Sequence, residues 1–209
     1  MQGLDMKPGD IESRSFAIIT ELLGERELDP ENSHVIKRCI HTTADFDYAD
    51  NLFFSPGAVR AIGAALRDGA CLITDTAMAR AGINKRAAAK LGVDVLCFMA
   101  DPDVADEAAR RGVTRAVAAM EKALGLGRPT VFAVGNAPTA LLRLHAAMEE
   151  GYMPRGIIAA PVGFVNVVES KELIAAANAP CIVARGRKGG SAVAAAICNA
   201  ILYDLAGRD

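Results

Sequence analysis

One stretch of the chain, residues 38–55 (RCIHTTADFDYADNLFFS), concentrates side chains that can do chemistry. It contains His41, one of only three histidines in the chain. Histidine titrates near neutral pH and can both give and recover a proton, so His41 is a candidate general acid or base. Arg38 lies three residues earlier, which on a helix places it on the same side as His41. The alternative is a histidine that merely favours a helix C-terminus, beside a solvated arginine.

The same stretch contains three carboxylates, Asp45, Asp47 and Asp50. Paired carboxylates can serve acid–base chemistry or hold a metal ion, but the spacing here does not follow the pattern of a calcium-binding loop. We therefore favour a solvated loop between two helices and expect no metal site.

A second cluster of chemical groups is the basic segment ARGRKGGSA, residues 184–192. Gly189 and Gly190 allow the backbone to turn N–H groups toward an anion at the start of a helix, and Arg185 adds fixed positive charge. The segment matches neither common nucleotide-binding glycine motif. The alternative is a flexible turn with a solvated basic tip.

Two further polar residues have both a functional and a structural interpretation. Ser15 falls on an apolar stripe formed by Ile11, Ile18 and Leu22, which we expect to be buried. Its hydroxyl would then bond either to the carbonyl four residues back or to a ligand. Asn136 follows an apolar run and either caps the next helix or contacts a ligand.

Apolar runs at residues 71–74, 93–99, 130–134, 156–160 and 181–184 predict about five strands. They are separated by roughly 20 to 35 residues, which leaves room for a helix between each pair. Such continuous apolar strands are typical of a parallel sheet covered on both faces, and the sequence therefore predicts an α/β fold of one domain over residues 1–209. Ligands bind at the carboxyl edge of such sheets, where Asp75 and Asn136 would lie.

Composition excludes several classes of protein. The formal net charge of -2 and the lack of a long basic run argue against nucleic-acid binding. No run is long and apolar enough to span a membrane, and the first ten residues lack a secretion profile, so we expect a cytoplasmic protein. The five cysteines show no metal-ligand spacing and are interpreted as small buried apolar residues.

Several segments in series resemble one known enzyme family, precorrin-8X methylmutase, also called precorrin isomerase. The resemblance rests most specifically on GNAPTAL, PVGFV with ESK, and RGRKGGSA, and it extends over nearly the whole chain. The supporting segments are SRSFAII (13–19), KRCIHTTADFDYADNLFFS (37–55), CLITDTAMARAGI (71–83), VGNAPTALLRL (134–144), PVGFVNVVESKE (161–172) and ARGRKGGSAVAAA (184–196).

The resemblance implies a flavodoxin-like, three-layer, doubly wound sheet. Helix start signals such as Asp29–Pro30 and Ser55–Pro56 separately predict two helices before the first strand. It implies a homodimeric isomerase of cobalamin biosynthesis that moves a methyl group on ring C of a corrin precursor to the adjacent carbon. The product is hydrogenobyrinate, or cobyrinate where the substrate carries cobalt, and no separate cofactor is needed. The family's catalytic histidine falls on His41, and its substrate-contacting serine and arginine fall on Ser15 and Arg38.

The remaining substrate contacts are expected from position alone. The carboxylates on the rim of the macrocycle would meet cations and backbone N–H groups, and its flat face would meet apolar side chains. We expect His41 at the edge of a deep, arginine-rimmed cleft; a ring facing solvent would count against this mechanism. The proposed contacts are Thr42, Asp75, Asn136, Arg185, Lys188, Gly189 and Gly190 for polar groups, and Phe46, Tyr48 and residues 161–164 for the ring face.

Two other functions remain open from the sequence. A non-catalytic protein of the same pathway could hold and deliver the corrinoid product, and it would need the same cleft without a titrating group at position 41. A small phosphorylated substrate would be favoured only if the Gly189–Gly190 segment stood alone.

Overall fold

The structure is a computed structural model that describes residues 8–207. The first seven residues, which form most of the segment inspected for a secretion signal, lie outside this range. No described helix is long and apolar enough to cross a membrane. The helices are α1 (Pro8–Leu23), α2 (Ser33–Thr43), α3 (Tyr48–Asn51), α4 (Ala58–Arg67), α5 (Ala77–Gly82), α6 (Lys85–Lys90), α7 (Pro102–Arg111), α8 (Arg115–Leu124), α9 (Pro138–Glu149), α10 (Val167–Ala176) and α11 (Ser191–Ala206). The strands are β1 (Leu52–Phe54), β2 (Cys71–Thr74), β3 (Val95–Leu96), β4 (Thr130–Val134), β5 (Gly156–Ala159) and β6 (Cys181–Ala184).

The described strands form one six-stranded sheet in the order β1-β6-β5-β4-β2-β3. Strands β2 to β6 are parallel, and β1 pairs with β6 in the antiparallel direction. Without β1, the parallel strands numbered along the chain run 2-1-3-4-5, which is the flavodoxin-like order. The predicted α/β class and flavodoxin-like arrangement are confirmed.

Three details of the prediction are wrong. The sheet has six strands rather than about five, because β1 lies within the stretch interpreted as a loop between helices. The strand predicted at 93–99 is only Val95–Leu96, since the next residues turn away to pack Phe98 and Met99 against the core. Three helices precede β1 and a fourth precedes β2, not two.

Helices cover both faces of the sheet, as continuous apolar strands require. One face packs against α1, α2, α4, α6 and α11 through residues such as Leu72, Val131 and Ile182. The other packs against α7 to α10 through residues such as Ile73 and Phe132. Neighbouring residues of one strand, such as Leu72 and Ile73, thus enter different cores, because successive side chains in a strand point to opposite faces.

The apolar stripe predicted for the first helix is present, but it faces outward. Ile11, Ile18 and Leu22 are 48%, 46% and 64% exposed, so the expectation that this stripe is buried within one chain is wrong. Helix α1 packs on the protein through the neighbouring side, with Ile19 and Leu23 buried. The helix therefore has two apolar sides, one of which the described chain leaves uncovered.

A close approach between β5 and α4 constrains Gly156, the first residue of β5. A Cβ atom at this position would lie 2.4 Å from Cγ1 of Ile62, a fully buried side chain of α4. We expect Gly156→Ala to lower the free energy of unfolding by about 1–3 kcal/mol, the usual cost of overpacking a core. Urea unfolding would measure this loss, and Gly125→Ala, whose Cβ would lie 3.6 Å from the nearest atom, is the control. Equal urea midpoints for the two variants would contradict the close approach.

Candidate active site

The imidazole of His41 lies in the last turn of α2 and stacks on the ring of Phe16 in α1. The two ring centroids are 5.3 Å apart, with an interplanar angle of 20°. His41 is exposed, so its free face and edge are open to solvent in a single chain. The stacking fixes the plane of the imidazole without burying it. Phe16 lies within the SRSFAII motif, but sequence reasoning did not assign it this role.

Arg38 is held between two aromatic rings beside His41. Its guanidinium carbon lies 4.7 Å from the ring centroid of Phe16 and 5.1 Å from that of Tyr203. It also forms a short ion pair with Glu12 of α1, and only 8% of the residue is exposed. A nearly buried guanidinium needs such partners, since an isolated charge in the interior is costly. The alternative of a solvated Arg38 is therefore wrong.

The other side of α2 explains why these two polar residues point to the same place. Val35, Ile36, Cys39 and Ile40, which are spaced at the helical period, are buried. This stripe packs into the core that α2 shares with α11. Burial raises the pKa of the Cys39 thiol to about 12, so the thiol stays neutral at physiological pH and acts as an apolar residue.

A groove of about 280 Å³ runs beside the imidazole. Helices α2, α5 and α11 line it, with Arg38, His41, Thr42, Gly82, Ala192, Ala195, Ala196, Asn199 and Tyr203. The groove is shallow and the ring of His41 faces solvent, so the expectation of a deep, arginine-rimmed cleft is wrong for the described chain. A single chain alone therefore counts against proton transfer by His41. A tetrapyrrole is too large for this volume, so only an edge of such a ligand would enter the groove.

The hydroxyls of Ser15 and Thr42 bond to their own helices. The Ser15 Oγ donates to the carbonyl of Ile11 at 2.9 Å, and the Thr42 Oγ1 donates to that of Arg38 at 2.9 Å. In this chain the Ser15 hydroxyl therefore makes the hydrogen bond to the carbonyl four residues back, which is the structural alternative given for it. Each oxygen still has lone pairs that can accept a hydrogen bond, so substrate contact by either residue remains a prediction.

The loop that follows α2 is tied to the basic segment at residues 184–192. Lys188 places its ammonium 2.6 Å from a carboxylate oxygen of Asp45 and 2.6 Å from one of Asp47. The hydrogen bond from Lys188 lowers the pKa of Asp45, and the two carboxylates raise that of Lys188. The two clusters found in the sequence are thus neighbours in space, and the carboxylate loop is more than a solvated turn.

Asp75 occupies the crevice between β2 and β4, where the direction of strand order reverses. Its carboxylate accepts hydrogen bonds from the N–H groups of Gly135, Asn136 and Ala137 at 2.7, 2.8 and 2.8 Å. Burial raises the pKa of Asp75, and the three N–H donors oppose that change. The carboxylate therefore organises the start of α9, and a substrate contact by Asp75 stays a prediction. Asn136 itself is exposed at this edge.

The start of α11 lies directly against this crevice. A Cβ at Gly135 would lie 2.7 Å from the Cα of Ser191, and the hydroxyls of Ser191 and Thr76 are 2.8 Å apart. The N–H of Gly190 donates to the carbonyl of Ala160 at 2.8 Å, so it is engaged within the protein rather than turned toward an anion. A Cβ at Gly189 would lie 2.3 Å from that same oxygen, which requires glycine there.

The structure does not bring Arg185 to His41. Its guanidinium stacks over Phe53 at 4.7 Å and pairs with Glu172 of α10 at 3.2 Å. Both partners belong to the face covered by α7 to α10, whereas α2 lies on the other face.

Tyr48 does not lie on the surface where it was expected to contact the face of the macrocycle. It is buried in the core, because α3 turns it inward.

Sequence reasoning missed the fully buried Lys171, which lies in the ESK motif. Its ammonium donates to the carbonyls of Gly186 and Lys188 at 2.9 and 2.8 Å. Desolvation lowers its pKa to about 8.

Among the described residues, no three His, Cys, Asp or Glu side chains are close enough to hold a metal ion. The expectation of no metal or cofactor stays a prediction.

Comparison with known proteins identifies the family. Residues 10–204 match the family model described as precorrin-8X methylmutase. The chain belongs to this family. The cobalt-precorrin-8 methylmutase of Salmonella typhimurium is 44% identical over 205 residues, which cover 95% of this chain and 96% of the relative. The precorrin-8X methylmutase of Pseudomonas aeruginosa is 37% identical over 191 residues, covering 90% of this chain and 91% of the relative.

A solved structure supports the same assignment. The crystal structure of a precorrin-8X methylmutase from Thermus thermophilus superposes with a TM-score of 0.89 at 38% identity, covering 95% of this chain and 96% of that chain. The family resemblance drawn from the motifs is confirmed. Relatives named cobalt-precorrin-8 methylmutase and relatives named precorrin-8X methylmutase are both similar to this methylmutase-family chain over most of its length.

The three hydrogen bonds to Asp75 generate a test of how this family member builds its sheet edge. In Asp75→Asn, the amide NH2 would face at least one of the three N–H donors and leave it without an acceptor. We expect the free energy of unfolding to fall by about 1–3 kcal/mol, the usual penalty for an unsatisfied buried polar group. Urea unfolding would measure it, with the exposed Asp68→Asn as control. Equal stability of the two variants would contradict the role given to Asp75.

Proposed function

We propose that the protein is an isomerase that moves a methyl group on ring C of precorrin-8X or cobalt-precorrin-8 to the adjacent carbon. The product would be hydrogenobyrinate or cobyrinate, within cobalamin biosynthesis. The observation that carries the proposal is the match of residues 10–204 to the methylmutase family. The placement of His41 beside Arg38, on a groove at the side of α11, is consistent with it.

In this proposal His41 lends a proton to the macrocycle and recovers it within one turnover. Methyl migration around a conjugated ring needs greater electron demand at the carbon that accepts the methyl group, and protonation of the ring system supplies it. The reaction is an isomerisation, so no atom is gained or lost and no oxidant is needed. Histidine suits the task because both of its protonation states are accessible near neutral pH.

Arg38 would act mainly through its position. Its guanidinium is stacked on Phe16, the same ring that stacks on His41, and it is paired with Glu12. Phe16 therefore contacts both His41 and Arg38, and its ring holds the imidazole and the guanidinium near one another. A substrate carboxylate that reached Arg38 would compete with Glu12 for the guanidinium.

The surface beyond the groove offers the ligand an apolar platform. Met78 of α5 and the loop residues Val162, Phe164 and Val165 are exposed at the carboxyl edge of the sheet. Val162 lies 4.0 Å from the position of a Cβ on Gly190, just before α11 begins. A flat corrinoid lying over the start of α11 would cover this apolar surface and place one edge at His41. The first N–H groups of α11 would face its carboxylates.

We further propose that the enzyme works as a homodimer through the outward face of α1. Ile11, Ile18 and Leu22 form an exposed stripe on the helix that also supplies Phe16 to His41. A second chain on this face would bury the stripe and add a wall near the exposed imidazole. Such a wall would supply the enclosure that a single chain lacks. A cytoplasmic location and a reaction without a separate cofactor stay predictions from the sequence.

Replacing His41 tests the catalytic proposal. We expect His41→Gln to lower the rate of methyl transfer by about 100-fold or more, since general acid–base catalysis typically supplies that much. Binding of the corrinoid product should persist because Arg38 and the platform are unchanged. The measurement is the absorbance change of the macrocycle on conversion, with His145→Gln in α9 as the matched control. An unchanged rate in His41→Gln would refute the role of His41, whereas a wild type that binds the product without converting the substrate would favour a binding or delivery protein.

A charge on the α1 stripe tests the dimer. We expect Ile18→Glu to convert the protein from dimer to monomer in sedimentation analysis, because a carboxylate would lose its hydration in an apolar interface. Leu173→Glu places the same charge on an exposed apolar residue of α10 and should leave the dimer intact. A wild-type monomer, or a dimer unaffected by Ile18→Glu, would contradict the proposed interface.

A further inference from the structure

The ammonium of Lys188 joins two segments that are far apart in sequence. It belongs to the loop between β6 and α11, and it donates to Asp45 and Asp47 in the loop that follows α2. Both distances are 2.6 Å. One side chain thus connects the sheet edge to the end of the helix that carries His41.

The backbone that carries Lys188 is itself held by the side chain of Lys171. Lys171 of α10 is fully buried and donates to the carbonyl of Lys188 at 2.8 Å and to that of Gly186 at 2.9 Å. A buried amine is costly to leave without acceptors, so these two bonds strongly favour one loop conformation. The position of the Lys188 backbone is therefore fixed independently of the contacts that its side chain makes with Asp45 and Asp47.

The end of α2 needs such a connection. Ala44, three residues after His41, adopts a left-handed conformation with φ of 53°. For a residue other than glycine this costs about 1–2 kcal/mol. Local bonds hold the turn: the Ala44 N–H donates to Ile40 at 2.7 Å, and the Asp45 N–H donates to the Thr43 hydroxyl at 3.2 Å. The carboxylates of the next residues then end on Lys188.

We infer that Lys188 is a positioning residue for the reaction, which holds the end of α2, and with it His41, in register with the start of α11. This inference rests on the proposed role of His41. It assigns Lys188 to the two carboxylates of its own chain rather than to a carboxylate of the substrate. Lys171 supports it by fixing the loop from which it extends.

The physical consequence concerns rate more than stability. An exposed ion pair contributes little to the free energy of folding, because water screens it and the side chains lose freedom. A shift of a catalytic group by about 1 Å, in contrast, can cost about 100-fold in rate. The loss of Lys188 should therefore appear in kcat while the melting temperature stays nearly constant.

A matched pair of lysines allows a sharp comparison. Lys122 also bridges two aspartates, Asp101 and Asp103, each at 2.7 Å, but it lies on α8, away from α2. We expect Lys188→Met to lower kcat by about 10- to 100-fold with unchanged KM and unchanged affinity for the product. Lys122→Met should match the wild type, and Lys188→Arg should retain most of the rate.

The aspartates distinguish positioning from substrate binding. If Lys188 positions α2, the double variant Asp45→Asn, Asp47→Asn should show the same loss of kcat, and adding Lys188→Met to it should cause no further loss. If Lys188 instead binds a substrate carboxylate, Lys188→Met would raise KM and the aspartate changes would leave kcat unchanged. That second pattern would overturn the inference.

His41→Gln, assayed in parallel, separates this inference from the proposed function. If the wild type does not convert the substrate, the proposed function fails. If His41→Gln is as active as the wild type, the proposed role of His41 fails. In either case the inference fails with it. If His41→Gln is inactive while Lys188→Met matches Lys122→Met in kcat, the proposed function stands and the inference alone is overturned.

Discussion

The packing of α2 on α11 is the contact on which the candidate site depends. The apolar side of α2 enters the core above the sheet, which forces its polar side, with Arg38 and His41, toward the surface between α1 and α11. Because α11 begins at the carboxyl edge of the sheet, the same contact sets the distance from His41 to that edge. Neither helix could shift without removing well-packed apolar side chains from each other.

Close backbone approaches keep α11 in its place at the edge. Gly135 lies against Ser191, and Gly189 lies against Ala160, in both cases closer than any side chain would allow. Asp75 completes the crevice, because its carboxylate satisfies the N–H groups at the start of α9, at the point where the strand order reverses and sheets of this order commonly bind ligands. The crevice is thus filled from within, and the open surface lies to one side, over α11. This explains why a flavodoxin-like order is compatible with a site on the helical face.

Much of the fold could be predicted because burial on both sides leaves a simple signal. Strands β2, β4, β5 and β6 are continuous apolar runs, and the buried stripe of α2 follows the helical period. The three residues of β1 are too few to show any period. The stripe on α1 was recognised as apolar, but a pattern within one helix does not say whether its own chain covers it. Only three-dimensional structure answers that question.

The site could be predicted in its residues but less well in its geometry. His41 and Arg38 were found from spacing and family motifs, and the structure places both on one groove. The partners that hold them, Glu12, Phe16 and Tyr203, come from two other helices, and no local pattern links such distant positions. Lys171 is a similar case: a lysine within a motif predicts a charged surface, and only the two carbonyls that it meets explain its burial.

Because His41 is exposed, the described chain alone does not keep water away from its imidazole. Electrostatic effects on proton transfer are strong only where water is excluded, and the described chain does not exclude it at this imidazole. Under the proposed role of His41, the surface that excludes water would come from outside the chain, from the ligand, from a second chain or from both. A flat macrocycle lying on the platform of Val162 and Phe164 would cover one side of the ring, while Phe16 already covers the other. An open groove then has a use: a large, rigid ligand could not pass a narrow entrance, and the enclosure forms only when that ligand is in place.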